Sequence, residues 1–447
     1  MKIVIHVGMH KTGSSSIQHT FERLSRSDLE YIDWNNGGNH SGLFVLLFED
    51  PEKIAGYHSF RARGAKFIRG LPALREEWRA RVSQQLARTG DKTVLFSAEA
   101  ISLPSLGNAT QRLHEYFAHW SNDISVIGYA RPPEGFMPSA FQQYLKGGDA
   151  PDLFSGGVWP QYFARFERLD RIFGRDTVRL REFSPDRLLA GDVVQDFAHE
   201  IGLGPLQEDQ IIRTNESLSR EAVALLYVQR KLGRGFVAGF NGAHPANNTF
   251  ISRLAAIGAR KFAFSPQMLA PVLEKKRGDI AWMEDRLGHE FSEAGAAHPD
   301  AISSLDDLVD IALEQYDAVQ DLLGDAAVKD GPATTDTLVR ALERLREQCY
   351  AQVAGAKQAA QSIQQKGSLP MAIKTKMRPL NKDDGPTRVN LARIIWHMDN
   401  HETMPSDPEE RKSAFESVSI DYQRKALRLQ RHLENNNLMI VETEPQG

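Results

Sequence analysis

The sequence has little cysteine, little excess charge and no long apolar run. Its 447 residues include a single cysteine, so no disulfide can form within the chain, which fits a reducing compartment. A formal net charge of −4 gives no general positive field for nucleic acid or an anionic membrane. No apolar run reaches the ~18 residues of a transmembrane helix, and a strand-like run from Lys2 leaves no room for a signal peptide. We therefore expect a soluble, cytoplasmic protein whose anion sites are built locally.

Patterns of metal-binding residues are absent as well. The 14 histidines show no zincin spacing, and Cys349 alone cannot build a thiolate site. The GxSxG and GxGxxG motifs do not occur in the contexts in which they function. The sequence therefore predicts a site that works without a metal ion.

Strand and helix patterns alternate through the first half of the chain. This alternation predicts an α/β fold with a parallel sheet flanked by helices, and ligands at the carboxyl ends of the strands. The predicted strands are Lys2–Val7, Thr93–Ser97, Ile124–Ala130 and Thr177–Phe183, and the predicted helices are Ser14–Leu24, Gln111–Trp120, Ser139–Lys146, Gln161–Phe173 and Val193–Ile201.

Strand patterns become scarce from about Ser217 onward, where helical periodicity dominates. Gly331–Pro332 suggests a boundary, which predicts an α/β domain at 1–330 with a helical second half and a helical C-terminal extension at 331–447. The extension's amphipathic helices fit packing or oligomerisation, and a homodimer through them is one option. They are predicted at Leu338–Gln365, Arg388–Asp399 and Glu409–Asn435.

A glycine-punctuated loop follows the first predicted strand and leads into a helix. The unpaired N–H groups and the dipole of a helix N-terminus attract anions, and Lys11 adds a full positive charge. The lysine precedes Gly13, whereas a Walker A loop places it after the second glycine, so an ordinary P-loop nucleotidase is disfavoured. The loop predicts a site for a phosphate with a second anionic group beside it, formed by Lys11, Thr12, Gly13, Ser14, Ser15 and Ser16.

A second anion site is predicted where the strand Ile124–Ala130 ends. Arg131 follows this strand and can hold a phosphate through two hydrogen bonds. Ser139 comes eight residues later, near the predicted start of a helix, and adds a hydroxyl group. The two sites together predict a ligand with two separate anionic groups.

The order GxxKTGSSS, followed by Arg131 and Ser139, resembles the PAPS-dependent sulfotransferases, most closely the bacterial carbohydrate type. The resemblance covers about Met1–Gly204, with later family-like segments at Thr214–Ser219 and, more weakly, Asp279–Gly288. It implies a P-loop-like sheet and PAPS (3′-phosphoadenylyl sulfate) as co-substrate. The loop would bind the 5′-phosphosulfate, and Arg131 with Ser139 the 3′-phosphate. Gly135 departs from the pattern, since many relatives carry a second arginine there.

Sulfuryl transfer needs stabilisation of the leaving group and a general base for the acceptor. Lys11 is the candidate for stabilising the charge of the leaving group. Glu99, just after a strand, is the first candidate for the base, and the resemblance to heparan-type enzymes supports it. His40, in the loop GGNHSG, is the second candidate. Two roles are open for His10, contact with the acceptor or support of the turn, so the candidate acceptor-binding residues are His10, His40 and Glu99.

Two further features of the sequence lie outside the predicted anion sites. His6 alternates with core valines and is read as structural. The glycine-rich stretch Gly233–Asn248 suits an acceptor-contacting loop and a plain connector equally well.

The sequence thus predicts transfer of a sulfuryl group from PAPS to a hydroxyl or amine of a glycan or small metabolite. Two alternatives stay open. One is an atypical P-loop nucleotide kinase or phosphatase, and the other is a non-catalytic nucleotide-binding protein that organises partners.

Overall fold

The three-dimensional structure is a computed structural model, and it describes most of the chain. The described residues are 1–34, 37–153, 157–214, 217–234, 243–293, 298–327 and 331–366, apart from the side chains of 243–244 and 355–366. The helices predicted at 388–399 and 409–435 lie outside these ranges, as does most of the predicted dimer surface. No helix within the ranges is long and apolar enough to cross a membrane.

Five parallel strands form one sheet in the order β2-β3-β1-β4-β5. Strand β1 lies at the centre, paired with β3 on one side and β4 on the other. The α/β prediction with a parallel sheet is confirmed, and four of the strands lie where the sequence predicts them. The strands are β1 Lys2–Val7, β2 Leu29–Tyr31, β3 Thr93–Ser97, β4 Ile124–Ala130 and β5 Val178–Glu182.

Helices connect the strands and predominate in the described chain after β5. Helix α7 begins at Pro133, which fits the preference of proline for the first turn, so it starts well before the predicted Ser139. The helices of the α/β half are α1 Ser14–Arg23, α2 Ser41–Phe48, α3 Pro51–Ile54, α4 His58–Arg61, α5 Gly64–Arg88, α6 Gly107–Ala118, α7 Pro133–Gly147, α8 Tyr162–Phe173 and α9 Val193–Glu200. The later helices are α10 Arg220–Leu232, α11 Ala243–Leu254, α12 Pro266–Lys275, α13 Arg277–Leu287, α14 Leu305–Glu314, α15 Tyr316–Leu323 and α16 Thr335–Lys366.

Two apolar clusters cover the two faces of the sheet. Because side chains alternate along a strand, Ile3, Ile5 and Val7 of β1 belong to the larger cluster, whereas Val4 belongs to the smaller one. All four side chains are fully buried. A parallel sheet covered on both faces leaves its carboxyl edge, where the loops emerge, as the place for a ligand.

Helix α16 completes the larger cluster. Its residues Leu338, Leu342 and Leu345 are fully buried members of that cluster. The chain divides into compact units at Met1–Ile363 and Gln364–Gly447, which differs from the predicted boundary at 331. Gly331–Pro332 belongs to the turn before α16, where Thr334 accepts a hydrogen bond from the Thr337 N–H. The glycine and proline therefore mark the start of a helix and not the end of the first unit.

Candidate functional site

The loop between β1 and α1 has the geometry of an open helix N-terminus. Thr12 Oγ1 donates to the Met9 carbonyl at 2.6 Å and so closes the turn. Lys11 and Gly13 both have left-handed backbones, with φ of 67° and 73°. Gly13 is the N-cap of α1, and no side chain caps the helix there. The first N–H groups of α1 are therefore not taken by a capping side chain, as an anion site requires.

The two glycines of the loop are required by close contacts. A Cβ on Gly8 would lie 2.6 Å from Ser14 Oγ and 2.7 Å from Glu99 Cγ. A Cβ on Gly13 would lie 2.6 Å from Val193 Cγ1. Any larger residue would move the loop or its neighbours. Gly8 in particular brings the loop against Glu99, which the sequence places far away.

The hydroxyl groups of the loop serve partly to hold the loop together. Ser14 Oγ lies 3.4 Å from the Met9 carbonyl. Ser16 Oγ accepts from the Thr214 N–H at 3.1 Å and lies 3.3 Å from Thr214 Oγ1. Ser16 therefore ties a distant segment to α1, in addition to the predicted role at the anion site.

Arg131 and Ser139 lie on one cavity of about 420 Å³. Arg131 directly follows β4, as predicted, whereas Ser139 lies in the second turn of α7 rather than at its start. The prediction that the helix dipole favours an anion at Ser139 is therefore wrong, because the field of the dipole is strongest at the first turn. Arg260 and Lys261 line the same cavity, and the sequence reasoning missed them.

Arg131 is held by two hydrogen bonds, one to its backbone and one to its side chain. Its carbonyl accepts from the Tyr162 hydroxyl at 2.5 Å, and its Nε donates to Glu293 Oε1 at 3.3 Å. A Cβ on Gly135 would lie 2.6 Å from Arg131 Nε and 2.5 Å from Glu293 Cδ. Gly135 therefore makes room for this ion pair, which explains a glycine at the position where the resemblance leads us to expect an arginine.

The phenyl ring of Phe183 contacts residues of both predicted anion sites. Strands β1 and β4 are neighbours in register, with Val7 opposite Gly128, so both sites emerge at the same sheet edge. A Cβ on Gly13 would be 3.2 Å from Phe183 Cε2, and Arg131 Cζ lies 5.7 Å from the centre of the same ring. Both predicted anion sites therefore border Phe183 at one edge of the sheet.

Glu99 and His10 form a hydrogen-bonded pair at this edge. Glu99 begins the 3₁₀ turn Glu99–Ser102 directly after β3. His10 Nδ1 lies 2.9 Å from Glu99 Oε2, and the two side chains are 50% and 17% exposed. Burial raises the pKa of the Glu99 carboxyl, but the His10 hydrogen bond and the charges of His10, His6 and Lys11 outweigh it, so the pKa lies below its ordinary value.

Tyr57 and His58 lie beside this pair, on the segment that leads into α4. Burial, followed by the charge of Glu99, raises the pKa of Tyr57. Burial, followed by the charges of His10 and Arg61, lowers the pKa of His58. The Glu99–His10 pair is therefore bordered by side chains that the sequence reasoning did not connect with it.

His40 does not lie in an open loop, and the prediction that it acts as the base is wrong. It is fully buried just before α2. Its Nε2 donates to the Ile32 carbonyl at 2.8 Å, and its Nδ1 accepts from the Ser97 N–H at 2.9 Å. Burial lowers the pKa of His40 to about 3. With both nitrogens engaged inside the core, the ring joins β2 to β3 and cannot reach a substrate.

His6 is an interior residue, as predicted. It is fully buried on β1, with Nδ1 2.7 Å from Ser97 Oγ. Burial lowers the pKa of His6 to about 4, although the charge of Glu99 opposes the shift. The ring is therefore neutral at neutral pH and serves the core.

Asp279, in the late family-like segment, supports Arg131 indirectly. Its carboxylate accepts from the Phe163 N–H at 2.7 Å, the Tyr162 N–H at 3.0 Å and the Trp159 indole at 2.5 Å. These bonds fix the start of α8 against α13. Since the Tyr162 hydroxyl holds the Arg131 carbonyl, Asp279 contributes to the position of the second anion site.

Some predicted features lie wholly or partly outside the described residues. Asn215 of the Thr214–Ser219 segment does, as do residues 235–242 of the stretch Gly233–Asn248, so the choice between acceptor loop and connector stays a prediction. In the described part of the chain, no group of three or more His, Cys, Asp or Glu residues is arranged to hold a metal ion.

Comparisons with known proteins give a distant likeness. No protein-family model and no curated protein matches the chain. The crystal structure of a sulfotransferase from Alicyclobacillus acidocaldarius matches with a TM-score of 0.30 and 15% identity, over 52% of this chain and 92% of that one. At this low identity and TM-score the likeness establishes neither the fold nor the function. Both therefore rest on the residues of the chain itself.

Proposed function

We propose that this protein is a PAPS-dependent sulfotransferase, which transfers a sulfuryl group to a hydroxyl or amine of an acceptor. One observation carries the proposal: the lysine loop and the Arg131 cavity follow neighbouring strands and both border Phe183. PAPS has two anionic groups on one nucleotide, a 5′-phosphosulfate and a 3′-phosphate. Two anion sites at one sheet edge match that pattern better than a site for a single phosphate chain.

The 5′-phosphosulfate is assigned to the loop, where Lys11 and the open N-terminus of α1 supply positive charge. The 3′-phosphate is assigned to the cavity of Arg131 and Ser139, together with Arg260 and Lys261. Three cations around one cavity suit a dianionic phosphate. The Glu293 carboxylate, which pairs with Arg131 Nε, would compete with the phosphate for this guanidinium.

The chemistry assigned to the loop is charge stabilisation. As the acceptor oxygen or nitrogen bonds to sulfur, the bond from sulfur to the phosphate oxygen breaks and negative charge develops on that oxygen. A lysine held beside the bridging oxygen stabilises this charge without any metal ion. Lys11 lies on the turn between β1 and α1, where its backbone is left-handed. Glu99 and His10 lie where an acceptor would approach the loop, and a glycan or small metabolite is the class we propose for it.

Nucleotide-dependent thermal stabilisation tests the donor assignment. We expect 3′-phosphoadenosine 5′-phosphate to raise the melting temperature more than ADP or ATP, with or without chelator, because ADP and ATP lack the 3′-phosphate. Stabilisation by ATP that depends on magnesium would instead support a nucleotide kinase or phosphatase. Stabilisation by the 3′-phosphorylated nucleotide without turnover on any acceptor would support a non-catalytic binding protein.

Variants of the two sites sharpen the test. Lys11→Ala and Arg131→Ala should each reduce the stabilisation by the 3′-phosphorylated nucleotide and leave the melting temperature of the unliganded protein nearly unchanged. Lys92→Ala is the matched control, because Lys92 pairs with Glu30 at the opposite, amino-terminal end of the sheet. Equal stabilisation of all three variants by the nucleotide would overturn the assignment.

A further inference from the structure

The imidazole of His10 lies in a polarised pair with Glu99. Its Nδ1 is 2.9 Å from Glu99 Oε2, and the imidazole is half exposed whereas the carboxylate is largely covered. The contact joins residues 89 positions apart in the chain. Gly8 maintains it, because a Cβ there would press on Glu99 Cγ. The more accessible member of the pair is therefore the imidazole.

The proton on the imidazole can be assigned from its partner. The pKa of Glu99 lies below its ordinary value, so its carboxyl is ionised at neutral pH. An ionised carboxylate only accepts hydrogen bonds, so His10 Nδ1 must carry the proton. In the neutral ring the lone pair then lies on Nε2, the nitrogen that does not contact Glu99.

We propose that His10 is the general base of the transfer and that Glu99 is a positioning residue that fixes its tautomer. This inference rests on the proposed function and revises the sequence expectation, in which Glu99 takes the proton. Glu99 is the weaker choice because its Oε2 is occupied by His10 and its side chain lies beneath Gly8. An ionised, hydrogen-bonded carboxylate is also a weak base.

The step balances in atoms and electrons. The acceptor hydroxyl loses its proton to His10 Nε2 as its oxygen bonds to sulfur. The bond from sulfur to the bridging oxygen breaks, and its electron pair leaves with 3′-phosphoadenosine 5′-phosphate. His10 becomes an imidazolium, which Glu99 stabilises, and later returns the proton to water. The base and the cation assigned to the leaving group are then consecutive residues, His10 and Lys11, on one turn.

The tautomer can be measured without knowing the acceptor. In protein labelled with ¹⁵N-histidine, at pH 8, the nitrogen chemical shifts of His10 should show a protonated Nδ1 and an unprotonated Nε2. His10→Gln identifies the signals by their loss, and Glu99→Gln should change the tautomer ratio. A ring protonated mainly on Nε2, or one indifferent to Glu99→Gln, would overturn the inference.

Turnover separates the two candidate bases through a double-mutant cycle. Release of 3′-phosphoadenosine 5′-phosphate from PAPS is followed with water and with a panel of alcohols and phenols as acceptors. His10→Ala should lower kcat by about 10²- to 10⁴-fold, the usual contribution of a general base. Glu99→Gln should cost less, and should cost nothing further when added to His10→Ala, because it acts through His10.

Chemical rescue of the His10→Ala variant by imidazole completes the test. Added imidazole should restore part of the turnover of His10→Ala and none of that of Glu99→Gln. His19→Ala is the matched control, because His19 is an exposed histidine of the neighbouring helix α1. If Glu99 were the base, Glu99→Gln would show its full loss in the His10→Ala background and imidazole would have no effect.

Failure of this inference can be told apart from failure of the proposed function. His10→Ala should still be stabilised by 3′-phosphoadenosine 5′-phosphate, since neither anion site depends on the imidazole. If the wild-type protein does not bind that nucleotide, the donor assignment fails. If the wild-type protein binds the nucleotide and His10→Ala turns over at the wild-type rate, only the assignment of the base fails.

Discussion

The carboxylate of Glu293 pairs with Arg131, with Oε1 3.3 Å from Nε. The pair lies in the cavity that Arg260 and Lys261 also line. In the unliganded protein, Glu293 therefore balances one of the charges that we assign to the 3′-phosphate. Gly135 provides the space for it. A phosphate bound at Arg131 would therefore compete with this carboxylate.

Neutralising Glu293 should strengthen nucleotide binding. Glu293→Gln removes the competing charge and its repulsion of the phosphate. The pair is partly exposed, so we expect a gain of about two- to fivefold in affinity for 3′-phosphoadenosine 5′-phosphate, measured by calorimetry. Glu274→Gln, on the exposed surface of α12, is the control and should have no effect. Weaker binding by Glu293→Gln would show that the carboxylate supports the site rather than competing for it.

Lys261 and Arg260 should determine recognition of the 3′-phosphate. Lys261→Ala and Arg260→Ala each remove a cation from the cavity and should weaken binding of 3′-phosphoadenosine 5′-phosphate by about tenfold or more, the usual cost of a charged hydrogen bond. Binding of adenosine 5′-phosphosulfate, which lacks the 3′-phosphate, should change little. Competition binding of the two nucleotides measures the ratio. An equal loss for both would place these residues outside the 3′-phosphate site.

Replacing Gly8 should disturb the catalytic pair while the fold persists. In Gly8→Ala the new Cβ would meet Glu99 Cγ at 2.7 Å and Ser14 Oγ at 2.6 Å, so Glu99 must move away from His10. We expect a loss of turnover of about tenfold or more, with a near-native circular dichroism spectrum. Gly70→Ala is the control, because a Cβ there meets nothing within 4 Å and alanine favours the helix. Normal turnover of Gly8→Ala would contradict the tight packing at this turn.

Two buried histidines should make the protein sensitive to acid. The pKa of His6 is lowered to about 4 and that of His40 to about 3, both by burial. A group whose pKa is lower in the folded state favours folding above its unfolded pKa of ~6.5, and this stability is lost as the pH falls through the window toward the folded pKa. At pH 4.5 each histidine should therefore cost roughly 2 to 3 kcal/mol. Urea unfolding from pH 7 to 4.5 measures the loss.

A variant at one of these positions checks the cause. His40→Gln removes one titrating group, so its stability should fall less steeply with acid than that of the wild-type protein, even if it is lower at pH 7. His19→Ala, at an exposed position, should follow the wild-type slope. Parallel curves for His40→Gln and the wild-type protein would assign the acid sensitivity to other groups.

Asp279 should be important for both stability and nucleotide binding. Asp279→Ala removes the acceptor of two backbone N–H groups and the Trp159 indole, which should cost about 1 to 3 kcal/mol in the free energy of unfolding. Through Tyr162 it should also displace Arg131 and weaken binding of 3′-phosphoadenosine 5′-phosphate. Asp285→Ala, on the exposed face of the same helix, is the control. A stability loss without any change in binding would confine Asp279 to a role in the fold.

Two of the elements that the sequence did not predict lack a clear period. Strand β2 has only three residues, too few to show an alternation. Helix α2 has all eight residues buried, so it lacks the polar face by which an amphipathic helix is recognised. The strand–loop–helix unit around Lys11 was predictable because its motif is contiguous.

Contacts across the chain explain the remaining differences at the site. Nothing local distinguishes His40, whose flanking glycines suggest a loop, from a buried residue that joins two strands. His10 meets Glu99, and Arg131 meets Glu293, only through the tertiary fold. Lys261 likewise reaches the cavity from a segment without a recognisable motif. Sequence reasoning could name candidate anion sites, but it could not show which side chains meet within them.

Helix α16 has a consequence for how the protein is made. Glu343 and Gln348 of this helix hydrogen-bond to Gln229 of α10 and Leu323 of α15, and its leucines are buried in the larger cluster, so the later helices cannot finish packing until the ribosome has passed them. At a synthesis rate of about 5 to 20 residues per second, α10 is made roughly 5 to 25 seconds before the residues of α16 that pack against it. During that time the nascent chain exposes the apolar surface that α16 later covers, and we expect chaperones to bind it there.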